Sequence, residues 1–235
     1  MKPILLLFAF AIFFFSACTS KYQYLTVTGR GLTKNNNREI LMENDTVRVI
    51  YNFQGYKGEL TISIYNKSGE LLEVNWRKSF LIRDEQAAPY YRSSASLNGS
   101  AGIDTTRGLL VTSTTYTAGF TGDITINFPG EFIPPRSAIS KKALYLNLKY
   151  LPDSLLKHQP TLKLKLKSKD SISYKRRAFS SQTSPLTFRS YLTFNMGGKE
   201  FSLDHNFFIE VLWQSSIGPS YFPVDMWKSP DVIRL

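Results

Sequence analysis

The sequence predicts an all-β protein of antiparallel sheets packed as a sandwich, on three observations. Apolar residues recur with period two over most of the chain. Clusters of Gly, Asn, Ser and Pro interrupt these runs at a spacing of roughly 8–15 residues, as in sandwiches of short strands. Only one segment, Asp153-Ser154-Leu155-Leu156-Lys157, reads as helical, and it is short. A charged fraction of 20% and an aromatic fraction of 14% also argue against disorder.

The strands follow in chain order. Val47, Val49, Tyr51 and Phe53 alternate with Arg48, Ile50 and Asn52, which puts the apolar set on one face of a sheet. Gln54-Gly55-Tyr56-Lys57-Gly58 closes a hairpin onto Leu60, Ile62 and Ile64. Asn66-Lys67-Ser68-Gly69 is expected to close the next hairpin, with Gly69 at positive φ. Leu72, Val74, Trp76, Phe80 and Ile82 hold one parity over a long third strand, with Trp76 as a core anchor. Residues 93–108 are small and polar and read as a long loop. Ile124, Ile126 and Phe128, then Leu144, Leu146 and Leu148, repeat the alternation. Between them, Pro134-Pro135 removes two donors and marks an edge or a crossover between sheets. Phe188, Leu192 and Phe194, then Phe207, Ile209, Val211 and Trp213, give two further strands, with Met196-Gly197-Gly198-Lys199 as a hairpin between them.

The N-terminus carries a separate signal. Met1-Lys2-Pro3 precedes an unbroken apolar run, Ile4 to Phe15. That run is too short for the roughly 20 residues a membrane span needs, so it reads as a secretory segment. Phe15-Ser16-Ala17-Cys18 then resembles the lipobox of bacterial lipoproteins, with Phe where Leu is commoner. The resemblance implies removal of residues 1–17 and acylation of Cys18, the only cysteine, which would attach the chain to a membrane through lipid. Thr19-Ser20-Lys21-Tyr22 lacks the acidic cluster that resembles a surface-export signal. The expected location is therefore the outer membrane, facing the periplasm.

The stretches Val49–Phe53, Gly58–Ser68 and Val74–Ile82, with Ile133-Pro134-Pro135, are similar to lipoproteins of the Bacteroidota that carry immunoglobulin-like sandwiches. On this resemblance residues 18–43 are a tether and first strand, and 44–151 form an immunoglobulin-like β-sandwich. Residues 152–235 then form a C-terminal β extension or a second small β unit. The family supplies no catalytic residues. Asp45-Thr46-Val47, Asp104-Thr105-Thr106, Asp153-Ser154-Leu155 and Asp170-Ser171-Ile172 resemble the O-glycosylation acceptor of exported proteins in that group, which would modify Thr46, Thr105, Ser154 and Ser171. The alternative is ordinary turn chemistry, which is also the reading of Asn66-Lys67-Ser68.

The catalytic inventory is thin. One cysteine and two histidines leave no multi-thiol zinc site and no histidine-rich metal centre. Asp204-His205 is the only acid–histidine neighbour pair, and His205 reads as a loop or strand-edge residue, with His158 in a turn. Asn98-Gly99-Ser100-Ala101-Gly102 fails the nucleophile-elbow pattern at its first position. Gly29-Arg30-Gly31 is a turn and not a phosphate cradle. Neither cofactor nor metal is expected, and the chain is read as non-catalytic. Eighteen acidic residues leave a carboxylate-pair hydrolase open, but nothing singles out the pair.

Two binding surfaces are candidates. The net charge of +11 concentrates in the second half of the chain. There Lys163, Lys165 and Lys167 alternate with leucines that are expected to face the core. With Lys175, Arg176 and Arg177 they form either a solvated, lysine-protected edge or an anion-binding surface. Tyr221, Phe222 and Trp227 lie in an aromatic, Pro-containing segment that could be a ligand platform or could pack over the sandwich. A second, weaker platform is Tyr90-Tyr91. The implied partners are an envelope protein or a glycan, the latter on a surface-exposed accessory protein. No nucleic acid is expected.

Overall fold

The computed structural model describes residues 21–91, 100–107, 112–119, 130–165, 171–218 and 228–235. These are all-β, with two single 3-10 turns and no α-helix among the described residues. The first ten strands are β1 (Tyr22–Gly29), β2 (Thr33–Lys34), β3 (Ile40–Glu43), β4 (Val47–Asn52), β5 (Gly55–Tyr56), β6 (Glu59–Asn66), β7 (Leu72–Asn75), β8 (Phe80–Arg83), β9 (Gln86–Pro89) and β10 (Ser100–Arg107). They continue as β11 (Thr112–Gly119), β12 (Gly130–Ile133), β13 (Ala138–Tyr145), β14 (Leu162–Lys165), β15 (Ser171–Ala178), β16 (Thr187–Met196), β17 (Lys199–Ser215) and β18 (Val232–Arg234).

A five-stranded sheet, in the order β13-β6-β4-β3-β2, packs against an eleven-stranded one whose main path is β12-β7-β16-β17-β1-β18-β5. The larger sheet curls into a half-barrel. Its pairs are antiparallel except for β18 with β5. Val47, Val49 and Tyr51 of β4 and Leu60, Ile62 and Ile64 of β6 project into the space between the sheets, where they meet Leu25, Val27, Leu72, Val74, Leu192, Phe194, Phe207 and Ile209. This is the face that period-two alternation predicts. One core therefore takes residues from both sides of position 151.

The strand β5 belongs to neither of its sequence neighbours. It lies in the connection between β4 and β6 but pairs with β18 of the larger sheet. Phe53 N donates to Pro230 O at 2.6 Å, and Lys57 N donates to Arg234 O at 2.8 Å. The smaller sheet thus lends its turn to seal the curled edge of the larger. Gly58, at φ +73°, must sit here, because a side chain would collide with Leu146 and Ile233.

Four expectations are corrected. The turn at Asn66 closes no hairpin, since β6 and β7 lie in different sheets, and Gly69 is not at positive φ. The expected long third strand is broken by a 3-10 turn, Trp76–Lys78. A turn of period three returns the chain with its parity shifted, so Leu81 is buried while Phe80 and Ile82 are only half-buried. Residues 100–107 are not loop but β10, paired with β11 in a two-stranded sheet. Finally, a bulge at Glu210 of β17 sets Thr26 opposite Val211 but Val27 opposite Ile209. The extra residue flips the parity: Phe207, Ile209 and Leu212 join the main core, whereas Trp213 joins Tyr24, Ile172 and Val232 on the other face.

Other expectations agree with the fold. Trp76 is fully buried and its indole donates to Glu131 Oε2 at 2.6 Å. Gly197 and Gly198, at φ +57° and +77°, make the two-residue turn between β16 and β17. The Pro134-Pro135 segment is a crossover, from β12 in the larger sheet to β13 in the smaller. The helical candidate is a single 3-10 turn, Asp153–Leu156. Ile124, Ile126 and Phe128 lie outside the described residues.

Candidate functional site: a cleft on the outer face of the larger sheet

The flip at Glu210 puts Val211 and Trp213 on the outer face, where they help to build a composite cleft. A cleft of about 240 Å³ opens on the face of the larger sheet turned away from the main core. Tyr24 and Thr26 of β1, Val211 and Trp213 of β17, and Val232 of β18 line it. Arg176 of β15, Arg38 of the β2–β3 turn and Glu210 at the bulge supply its charges.

The charges are held in place from below. Asp231 is fully buried and accepts from Arg38 Nη2 at 3.0 Å, Lys34 Nζ at 2.9 Å and Ser229 Oγ at 2.7 Å. Burial alone would push its carboxyl up, but these three donors outweigh burial and hold it below the usual range. Lys34 also reaches Glu210 Oε2 at 2.9 Å. The result is a chain of alternating charge, Arg38–Asp231–Lys34–Glu210. Arg38 itself stands at φ +64°, a conformation ordinarily left to Gly or Asn, and this aims its side chain back at Asp231. Opposite, the Arg176 guanidinium lies 4.8 Å from the Trp213 ring centroid, and Tyr174 packs against the same indole at 5.2 Å. No carboxylate among the described residues pairs with Arg176. Burial pushes the Tyr24 phenol up to about 12, so it remains protonated.

The six basic candidates do not share one face. Opposed residues in an antiparallel pair lie on the same face, so the register sets Lys163 and Lys165 beside Ser173 and Ser171, on the face of Lys175 and Arg177. Arg176 projects to the other face, with Trp213. Arg177 is taken up internally, donating to Leu155 O at 2.9 Å. Lys167 lies outside the described residues. Among the described residues β14 pairs only with β15, and Leu162 is exposed instead of core-facing.

Among the remaining candidates, Cys18, Tyr221, Phe222 and Trp227 lie outside the described residues. Thr46 is half-buried in the β3–β4 turn, Ser154 is exposed in a 3-10 turn, and Ser171 is exposed at the start of β15. Thr105 is in β10, opposite Thr114. Turn chemistry is present near Thr46, but Asn44 provides it: its Oδ1 accepts from the backbone of Thr46 and Val47. Tyr90 is a core residue, whereas Tyr91 is half-buried under Arg77, so the pair is no platform.

His205 departs most from expectation. It is neither in a loop nor at an edge but buried in the middle of β17, with Nδ1 2.6 Å from Tyr51 Oη. Tyr51 and Tyr90 both donate to Ser190 Oγ, at 3.2 and 2.9 Å. Asp204 points the opposite way and pairs with Arg189, Oδ1 accepting from Nε at 3.1 Å. Serine, histidine and acid are therefore neighbours in the ladder but not a relay, since the acid and the imidazole occupy opposite faces. No group of three or more metal-ligating side chains occurs among the described residues.

Sequence reasoning missed the cleft. Val211 and Trp213 were assigned to the core parity, and Arg38, Lys34 and Asp231 come from distant segments. The visible signal was Glu210-Val211-Leu212-Trp213, where three apolar residues in succession break the alternation. No protein-family model, curated protein or solved structure matches the chain.

Proposed function

We propose that the chain is a lipid-anchored cell-envelope protein, held on the periplasmic side of the outer membrane, whose β body binds or braces other envelope components without catalysis. The observation that carries this reading is the short spacing between Cys18 and β1. Two residues, Thr19 and Ser20, separate the cysteine from Lys21, so three Cα–Cα steps reach at most about 11 Å. A lipid on Cys18 would therefore hold the body directly against the bilayer, and Lys21 is itself fixed by Asp153 at 2.6 Å. In this reading the two-sheet body is an immunoglobulin-like sandwich whose larger sheet has been extended and curled. Replacing Cys18 by Ala should move the protein from the membrane fraction to the soluble fraction. Retention of the variant in membranes would overturn the anchor.

A second reading is a surface glycan-binding accessory protein. The cleft beside Arg176 favours it, since Arg176, Glu210 and Thr26 in its lining can exchange hydrogen bonds with the hydroxyls of a sugar. Protease treatment of intact cells separates the two: cleavage before lysis supports the surface reading, and protection until lysis supports the periplasmic one.

A further inference from the structure

We infer that the cleft between Arg176 and Glu210 binds a sugar unit that carries a carboxylate, such as a uronic acid residue of an acidic polysaccharide. This deepens the glycan-binding reading and rests on it. The argument begins with Arg176. A guanidinium stacked over an indole directs its N–H groups outward in its own plane, where they form a fork that matches a carboxylate. Stacking also restricts the long side chain before any ligand arrives, so less rotamer freedom is lost on binding. Among the described residues no carboxylate occupies this fork, while most of the other cations near the cleft are committed to acids: Lys34 to Glu210 and Asp231, Arg38 to Asp231.

The remaining lining suits the rest of such a ligand. Lys34 takes Oε2 of Glu210, and no donor among the described residues takes the other oxygen. A carboxylate oxygen of this kind accepts from a sugar hydroxyl. Thr26 adds a hydroxyl to the lining, while Tyr24, Val211 and Val232, nearly buried, form its apolar floor. Drug-sized ligands occupy pockets of roughly 300–1,000 Å³. A cleft of about 240 Å³ is smaller, which fits a single ring of a longer chain. The Glu210 carboxylate shares the lining with Arg176, so it would disfavour a ligand whose carboxylate is turned toward it.

Calorimetric titration of the full-length protein in detergent tests the assignment, with trigalacturonate, neutral galactotriose and inorganic phosphate as probes. Saturable binding of trigalacturonate is expected, at least about tenfold tighter than either control. Arg176 is exposed, so Arg176→Gln should melt at the wild-type temperature and bind trigalacturonate at least about tenfold more weakly. Arg176→Lys, which keeps the charge and loses the fork, should recover only part of the affinity. Equal affinity for galactotriose would overturn the acidic class and leave glycan binding standing. Equal affinity for phosphate would reduce the site to a plain anion contact. Unchanged binding in Arg176→Gln would place the ligand elsewhere. Absence of binding to every probe would overturn both this assignment and the glycan-binding reading, leaving the lipid anchor untouched.

Discussion

His205 makes the folded protein sensitive to acid. Burial pushes its imidazole down to about 4, against a small opposing pull from Asp204. In the unfolded chain a histidine titrates near 6.5. As pH falls from 6.5 toward 4, the unfolded state therefore takes up a proton that the folded state refuses. Stability is fully present above pH 6.5 and declines as the pH approaches 4, by on the order of 3 kcal/mol. Urea unfolding at pH 7, 5.5 and 4 should show a steeper decline for wild type than for His205→Asn. Parallel curves would mean that the imidazole titrates in the fold as it does in the unfolded chain. The site of this residue was partly legible: Leu203, His205, Phe207 and Ile209 keep a single parity. Its neighbour Asp204 drew attention to polarity instead. Sequence adjacency in a strand places two side chains on opposite faces, so it is the alternate residues that share a fate.

At the level of elements, two of the crossings between sheets, β6 to β7 and β12 to β13, meet at one side chain. Asn66 is fully buried, and its Nδ2 donates to Glu70 O at 2.7 Å and Ile133 O at 3.0 Å. Its Oδ1 accepts from Ser68 N at 2.9 Å. The β6–β7 and β12–β13 corners are thus fastened to each other. Removing this amide leaves several buried backbone groups unpaired, each costing about 1–3 kcal/mol. Asn66→Ala should therefore destabilise by about 2–4 kcal/mol in chemical denaturation; a loss below about 0.5 kcal/mol would show that the corners hold without it. Turns and strand parity in β4, β6 and the β16–β17 hairpin could be read directly, because local residues dictate them. Which sheet each strand joins could not. Asn-Lys-Ser-Gly serves a hairpin and a corner equally well, and only the distant carbonyls of Ile133 and Pro134 distinguish the two. The same limit hid the bulge at Glu210, and with it the cleft.

Across the whole molecule, the first and last described strands, β1 and β18, are central to the fold. β1 is flanked by β17 and β18, and is buried through most of its length. Its Gln23 side chain pairs with the backbone of Leu151 on both sides, donating at 2.9 Å and accepting at 2.8 Å, which draws the segment after β13 over the core. Deleting residues 232–235 would remove β18, and with it Val232 and Ile233, the ladder to β5 and the cover of Phe53. That variant should lose the single cooperative unfolding transition, monitored by circular dichroism and fluorescence together. A sharp wild-type-like transition would show that the curled edge is an accessory. The all-β class was legible from periodicity alone. The pair at the end of the larger sheet was not, because it joins the two-residue strand β5 to β18, which lies far along the chain.

Because β1 sits between β17 and β18, the first strand has no ladder partner until almost all of the polypeptide is present. Contacts of such long range are slow to form. On the proposed envelope location, where the chain would cross a membrane unfolded, this delay would be an advantage. The emerging N-terminal half cannot complete the larger sheet before β17 is made, so it would stay threadable until then. Completion of the larger sheet waits for β17 and β18, and a product truncated before them would carry a β1 with neither ladder partner.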